Sequence, residues 1–170
     1  ICEQICRGLF EGKSIEELKQ TPQIAYIEQG EVEKSRDYKD LYLHSFEDCL
    51  KDKRKQAENI ALFEKNSNKF EGERLVQVYE KENLKVVVNP FDQTYCSEDL
   101  DNIYKLPFER KPHPKYAKRG AIPAFDMIKY SVNIHRGCFG GCAFCTIAAH
   151  QGKRIISRSE ESIMNEIKQI

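Results

Sequence analysis

The chain has 170 residues, enough for one ordinary domain or one and a half. Its 27 basic and 27 acidic residues cancel to a formal net charge of +0, so no global field gathers nucleic acid or an anionic membrane surface. With 32% charged residues and no apolar run beyond a few positions, neither a transmembrane span nor a signal peptide is expected.

Residues 1–11 carry an amphipathic stripe (Ile1, Cys2, Ile5, Cys6, Leu9, Phe10) and predict a helix ended at Gly12. The stripe is already under way at Ile1 and no initiator Met precedes it, which reads as a piece of a longer chain. Ser14 predicts the cap of a short second helix through Glu16, Glu17 and Leu18, closing before Pro22. Residues 24–27 predict a short strand, with a polar stretch to about Lys39 after it. Ser45-Phe46-Glu47-Asp48 has the capping signature of the longest helix, with apolar positions at Phe46, Cys49, Leu50, Ala57, Ile60 and Ala61.

Arg74–Tyr79 and Leu84–Val88 are β-rich runs around Lys81-Glu82-Asn83 and predict a hairpin. Ser97 predicts the cap of a short helix through Leu100 and Tyr104. Pro107, Pro112, Pro114 and Pro123 then mark an extended connector. Residues 128–134 alternate apolar and polar and predict a strand, running through His135-Arg136-Gly137 into Cys138. Ser157-Arg158-Ser159-Glu160 predicts a capping box for a last helix, with Ile163, Ile167 and Ile170 on one face.

The chemistry is concentrated in Cys138-Phe139-Gly140-Gly141-Cys142-Ala143-Phe144-Cys145. Spacing of C-x3-C-x2-C brings three thiolates to one metal centre, one fewer than a closed site needs. A cuboidal 4Fe–4S cluster held by three thiolates keeps one iron open to a small molecule. Gly137 can turn the chain sharply, and Gly140 and Gly141 let the backbone curl around a bulky group. Their N–H groups can also face cluster sulfides. The alternative is structural zinc on the same cysteines, with His135 or His150 as the fourth ligand. Zinc sites more often pair C-x2-C with a distant second pair, and this sequence has no second pair. Seven cysteines is an odd number, which argues against a disulfide framework and for a reducing cytosol, hence a cytoplasmic location.

This loop resembles the radical SAM signature, and several stretches together resemble the YgiQ-type radical SAM proteins over most of the chain. They are residues 72–77, the connector 106–114, Ile122-Pro123-Ala124-Phe125, residues 135–142, and Ser157-Arg158-Ser159-Glu160-Glu161-Ser162-Ile163. The resemblance implies that Cys138, Cys142 and Cys145 hold a 4Fe–4S cluster whose open iron chelates the amino and carboxylate groups of S-adenosyl-L-methionine. It implies that Phe144 lies near the adenine. It further implies that an electron from the cluster, supplied by a donor such as flavodoxin or ferredoxin, cleaves the sulfonium to a 5′-deoxyadenosyl radical. The substrate is not given by the family.

The fold expected on this basis is α/β. An α+β upstream region with hairpin and connector would occupy 1–124, and the first strand, cluster loop and helix of a radical SAM partial TIM barrel would occupy 125–170. Ser131 and Asn133 would face the barrel interior, and Ile128, Tyr130, Val132 and Ile134 the outer helices. Only 25 residues follow Cys145 in the 170, too few for the remaining strands, so the chain alone is expected to be catalytically incompetent. An RNA methylthiotransferase-like enzyme is a further alternative. It would need a second cluster, for which Cys2, Cys6, Cys49 and Cys96 lack the spacing.

Other features have plainer readings. Cys2 and Cys6 stand four apart on one helix face and are expected to pack in the core. Arg110, Lys111, His113, Lys115, Lys118 and Arg119, with Tyr116 among them, could meet phosphate or RNA. With zero net charge a solvated linker is favoured, and nucleic acid is not an expected partner. His135 and Arg136 either tune the cluster or cap the strand end, and His150 reads as a surface or helix-start residue rather than a ligand.

Overall fold

The computed structural model describes residues 1–148 and 152–170. They divide into two compact units, Ile1–Thr94 with Gly137–Arg154, and Tyr95–Arg136 with Ile155–Ile170. The architecture is mixed, with short helices around a small mixed sheet.

In the first unit, α1 (Cys2–Phe10) gives way to Gly12, whose φ of 79° is a left-handed conformation that glycine adopts without strain. Cys2 and Cys6 are exposed, contrary to the expected core packing. The one buried residue of α1 is Gly8, and it lies against Leu18. The helix is therefore held by a close glycine approach, which leaves its apolar stripe outward. α2 (Ile15–Leu18) starts from a reciprocal capping box, in which the Glu17 N–H donates to Ser14 Oγ at 3.3 Å and the Ser14 N–H to the Glu17 carboxylate at 2.8 Å.

The sheet has the order β1-β4-β3-β2. Here β1 is Ala25–Gln29, β2 is Asp40–Tyr42, β3 is Arg74–Tyr79 and β4 is Leu84–Val88. β4 runs antiparallel to β1 and to β3, and β2 runs parallel to β3. The β3–β4 hairpin forms as expected, with Asn83 at φ 50° in its turn, a conformation that Asn tolerates better than most residues. β2 was not foreseen, since three residues carry too short a pattern to register.

A parallel pair needs a crossover, and β2 reaches β3 through two helices, α3 (Phe46–Lys51) and α4 (Lys53–Ser67). The sequence predicts one long helix here. Asp52 divides it, with an extended backbone (φ −132°, ψ 109°) and a carboxylate that accepts from the Arg54 N–H at 2.8 Å. Asp competes with the helix for backbone donors, so it interrupts one helix by capping the next.

Val76 and Val87 face each other in register and are both fully buried. On their face of β3 lies Arg74, only 1% exposed. Its guanidinium donates to Asp40 through Nε at 2.6 Å and Nη2 at 3.0 Å, to Tyr26 Oη at 3.1 Å and to the Glu33 carbonyl at 2.7 Å. A charge that deep persists because the fork is matched by acceptors around its edge. The opposite face of β3 meets the helices. Gln77 donates to the His44 carbonyl at 3.1 Å, and the Tyr79 ring stacks on Phe46 at 4.8 Å. Buried Glu47 accepts from the Glu80 and Lys81 N–H groups at 2.9 and 3.3 Å. Those bonds hold its carboxyl below the usual carboxylate range, the Glu80 amide contributing most.

The second unit contains α5 (Ser97–Tyr104), a 3-10 turn at Pro114–Tyr116, α6 (Pro123–Ile128), β5 (His135–Arg136), β6 (Ile156–Ser157) and α7 (Glu160–Ile167). The expected strand over 128–134 does not form. Pro123 at the first helical position favours α6, which takes Ile128 as its last residue. Extended pairing is confined to His135↔Ser157 and Arg136↔Ile156, because a strand is defined by a partner and only two residues of β6 supply one. The inward and outward faces assigned to residues 128–134 fall with that strand. The cap of α7 is Ser159, not Ser157, with Ser159 Oγ accepting from the Ser162 N–H at 3.2 Å.

Arg158 organises this unit. It is 5% exposed, donates to the Asn133 and Ser162 carbonyls at 2.9 Å each, pairs with Glu166 and stacks on the Tyr104 ring at 3.8 Å. Among the described residues no helix is long and apolar enough to cross a membrane.

Candidate functional site

The three cysteines sit on one loop of the first unit, with Cys138 and Cys142 exposed and Cys145 half-buried. Glycine shapes the loop where the sequence requires it, since Gly137 has φ 97° and Gly141 φ 59°. Gly140 lies between two thiols. A Cβ placed on it would meet Cys138 Sγ at 3.3 Å and Cys142 Sγ at 3.6 Å, so these sulfurs are no farther apart than the sum of those distances. The Gly140 N–H donates to Cys138 Sγ at 3.3 Å, and the Cys145 N–H to the Cys142 carbonyl at 3.0 Å.

Among the described residues no three side chains of His, Cys, Asp or Glu converge on a single metal ion. Zinc would require such convergence, with each sulfur about 2.3 Å from one ion. A four-iron cluster does not, because each thiolate caps a different iron. The loop supplies three thiols, of which Cys138 and Cys142 belong to exposed residues, with Gly140 close to both of those sulfurs. Phe144, beside Cys145, is 91% exposed and presents a bare aromatic face.

The segment after the loop is fastened to the first unit. Gly152 has φ 68°, and a Cβ on it would come within 2.6 Å of the Phe91 ring, so no other residue fits without displacement. The Lys153 N–H donates to the Ser67 carbonyl at 3.1 Å, and its ammonium meets Glu64 at 2.6 Å. Arg154 donates to the Gln93 carbonyl at 2.8 Å and lies over Phe70 at 5.7 Å. Lys153 and Glu64 escaped the sequence reading. They are 89 positions apart, and neither belongs to a local motif. Beneath this segment a cavity of about 70 Å³, lined by Phe63, Asn66, Val88 and Phe91 among others, is far smaller than a nucleoside-sized site.

The remaining candidates fall into plainer roles. Arg110 pairs with Glu166, His113 Nδ1 accepts from the Lys115 N–H at 3.2 Å, and Lys115 and Arg119 flank the Tyr116 ring at 4.9 and 5.8 Å. Much of the basic stretch is thus engaged by its own unit. His135 and Arg136 form β5 and are exposed. Cys49 Sγ receives the Asn59 amide at 3.1 Å, and the Cys96 N–H donates to Asp99 at 2.8 Å just before α5, where the sequence predicts Ser97 as the cap. His150 lies outside the described residues.

The first unit is thus an α+β body that presents three cysteines on a glycine-bent loop. The chain is a member of the Radical SAM N-terminal family, whose model matches residues 1–131. A UPF0313 protein of Bacteroides thetaiotaomicron is 54% identical over 149 residues, covering 88% of this chain and 23% of that protein. A UPF0313 protein of Porphyromonas gingivalis is 46% identical over 167 residues, covering 98% and 26%. One from Fusobacterium nucleatum is 40% identical over 158 residues, covering 93% and 27%. The chain thus spans about a quarter of the length of these curated relatives, and the resemblance to the YgiQ-type radical SAM proteins holds. No solved structure matches it.

Proposed function

We propose that this chain carries the cluster loop of a radical SAM enzyme, with Cys138, Cys142 and Cys145 as the ligands of a 4Fe–4S cluster and Phe144 beside the adenine of S-adenosyl-L-methionine. When bound, that pair supplies one-electron reductive cleavage of the sulfonium to a 5′-deoxyadenosyl radical, the chemistry of the superfamily. The chain's own part is to hold and shape. Three thiolates anchor the irons. The Gly140 N–H at 3.3 Å from Cys138 Sγ eases negative charge on that sulfur. Gly137 and Gly141 bend the backbone so that it clears a bulky group, and the exposed Phe144 ring offers a stacking face.

The observation that carries this reading is the position of Gly140 between the Cys138 and Cys142 sulfurs, in a chain of the radical SAM N-terminal family. The electron is proposed to come from a flavodoxin or ferredoxin. The proposed compartment is the cytoplasm, in keeping with seven free cysteines.

The test is anaerobic reconstitution of the full-length protein with iron and sulfide, followed by iron analysis, visible absorption and EPR. The expected result is about four irons per chain, a signal that appears on reduction and changes when S-adenosyl-L-methionine is added, and formation of 5′-deoxyadenosine. Stoichiometric zinc uptake without any redox-active cluster would overturn the reading.

A further inference from the structure

We propose that Lys153 is a charge-tuning residue of the cysteine loop, a fixed cation that favours the electron-rich state of whatever the three thiolates hold. The inference rests on the cluster reading above. From Gly137 to Gly152 the sequence contains no Lys, Arg, Asp or Glu, so Lys153 is the first formal charge after the cysteines. Its ammonium lies against the loop backbone itself. A Cβ on Gly141, the residue before Cys142, would meet Lys153 Nζ at 3.3 Å and Cε at 3.7 Å.

The cation is held from both ends. Its backbone N–H is tied to the Ser67 carbonyl and follows Gly152, which is pressed on the Phe91 ring, while its ammonium is tied to Glu64 at 2.6 Å. The two ends of that ion pair are not equivalent. The Lys153 side chain is 19% exposed and that of Glu64 46%. Solvent therefore screens the carboxylate more than the ammonium, and it is the ammonium that lies against Gly141, so the loop faces the positive end of the pair. Glycine at 141 is what allows the approach, since a side chain there would push the ammonium away.

Three thiolates on a 4Fe–4S core in its resting oxidation state sum to one negative charge. One electron from a low-potential donor makes that two, with no bond made or broken. Net charge and nearby dipoles set the potential of such clusters, so a cation fixed at Gly141 stabilises the reduced form. Its loss makes reduction harder.

The experiment is a dithionite redox titration of the reconstituted full-length protein, followed by EPR, for wild type, Lys153→Gln, Lys153→Arg and Glu64→Gln. Lys153→Gln is expected to lower the reduced-to-oxidised ratio at fixed potential about tenfold, a midpoint about 59 mV more negative for a one-electron couple. Lys153→Arg keeps the charge and should stay within about threefold of wild type. Glu64→Gln keeps a hydrogen-bond acceptor for the ammonium but removes its counter-charge, so the midpoint should move the other way. Opposite signs separate electrostatics from a purely structural clamp, for which both glutamine variants would shift alike or lose iron together. Unchanged midpoints, or shifts of one sign, overturn the inference while leaving the cluster intact. A wild-type protein that loads no cluster removes the cluster reading and this inference with it.

Discussion

The sheet of the first unit and the cysteine loop obey opposite rules. Beside Val76 and Val87 the buried Arg74 makes four hydrogen bonds, and the Asn89 amide donates to the Lys19 and Thr21 carbonyls. In the loop, Cys138 and Cys142 are exposed, and Phe139 and Phe144 are 73% and 91% exposed. A core lowers its free energy by pairing and burying what it has. A ligand loop must keep its donors available, and gains its order from the anchors at its exit. Stability and chemistry therefore reside in different residues of one unit, and mutations should separate them.

The largest separation is expected from the cysteines. Alanine at Cys138, Cys142 or Cys145 should abolish cluster iron in the reconstitution assay while leaving the urea midpoint of the metal-free protein unchanged. Cys2→Ala and Cys49→Ala should retain full iron. Arg74→Met should do the converse. It strands the Asp40 carboxylate, the Tyr26 hydroxyl and the Glu33 carbonyl, and removing one partner of a buried ion pair costs about 3–5 kcal/mol. Urea unfolding would read that loss, and iron per folded molecule would not fall.

Gly152→Ala sharpens the comparison because Gly152 belongs to both regions. A left-handed backbone at a non-glycine residue costs about 1–3 kcal/mol, and the added Cβ would lie 2.6 Å from the Phe91 ring. Lower stability and poorer cluster retention should appear together, and loss of only one would mean that the exit anchor does not serve the loop.

The smallest effect belongs to Glu47. Its carboxyl is held below the usual range by the Glu80 and Lys81 amides, so its contribution is complete above the unfolded value of about 4.3 and is lost as pH falls through the lower folded value. Glu47→Gln should melt below wild type at neutral pH, with the gap closing under about pH 4.

The local punctuation was legible in the sequence. Gly12, the Ser14 box, the Ser45 cap and the hairpin around Asn83 are decided by residues within a few positions of one another, and the structure places each where the pattern does. The C-x3-C-x2-C spacing was legible for the same reason. Some local signals shifted by a residue or two, as where Ser159 rather than Ser157 caps α7, and the larger failures depended on partners distant in sequence. The alternation at 128–134 looks like a strand, yet among the described residues no strand pairs with it, and Pro123 starts a helix that runs to Ile128. The stripe on α1 looks like a core face, yet α1 docks through Gly8. Asp52 falls inside the predicted long helix, and its capping role appears only once the chain has bent. The Lys153–Glu64 pair has no local signal, since only the fold brings the two together.

The order of the sheet has a consequence in time. Among the described residues β1 pairs with β4 alone, so Ala25 waits for Val88, and the parallel β2 pairs with β3 once Arg74 and its successors exist. During synthesis β1 and β2 leave the ribosome before the strands they pair with. The β3–β4 hairpin is the one local pairing available, and its closure supplies edges for both earlier strands. Long-range pairing of this kind is slow relative to hairpin formation. Val76 and Val87, central in the finished sheet, are thus in the first pair to meet, and β1, although earlier in the sequence, is secured only after them.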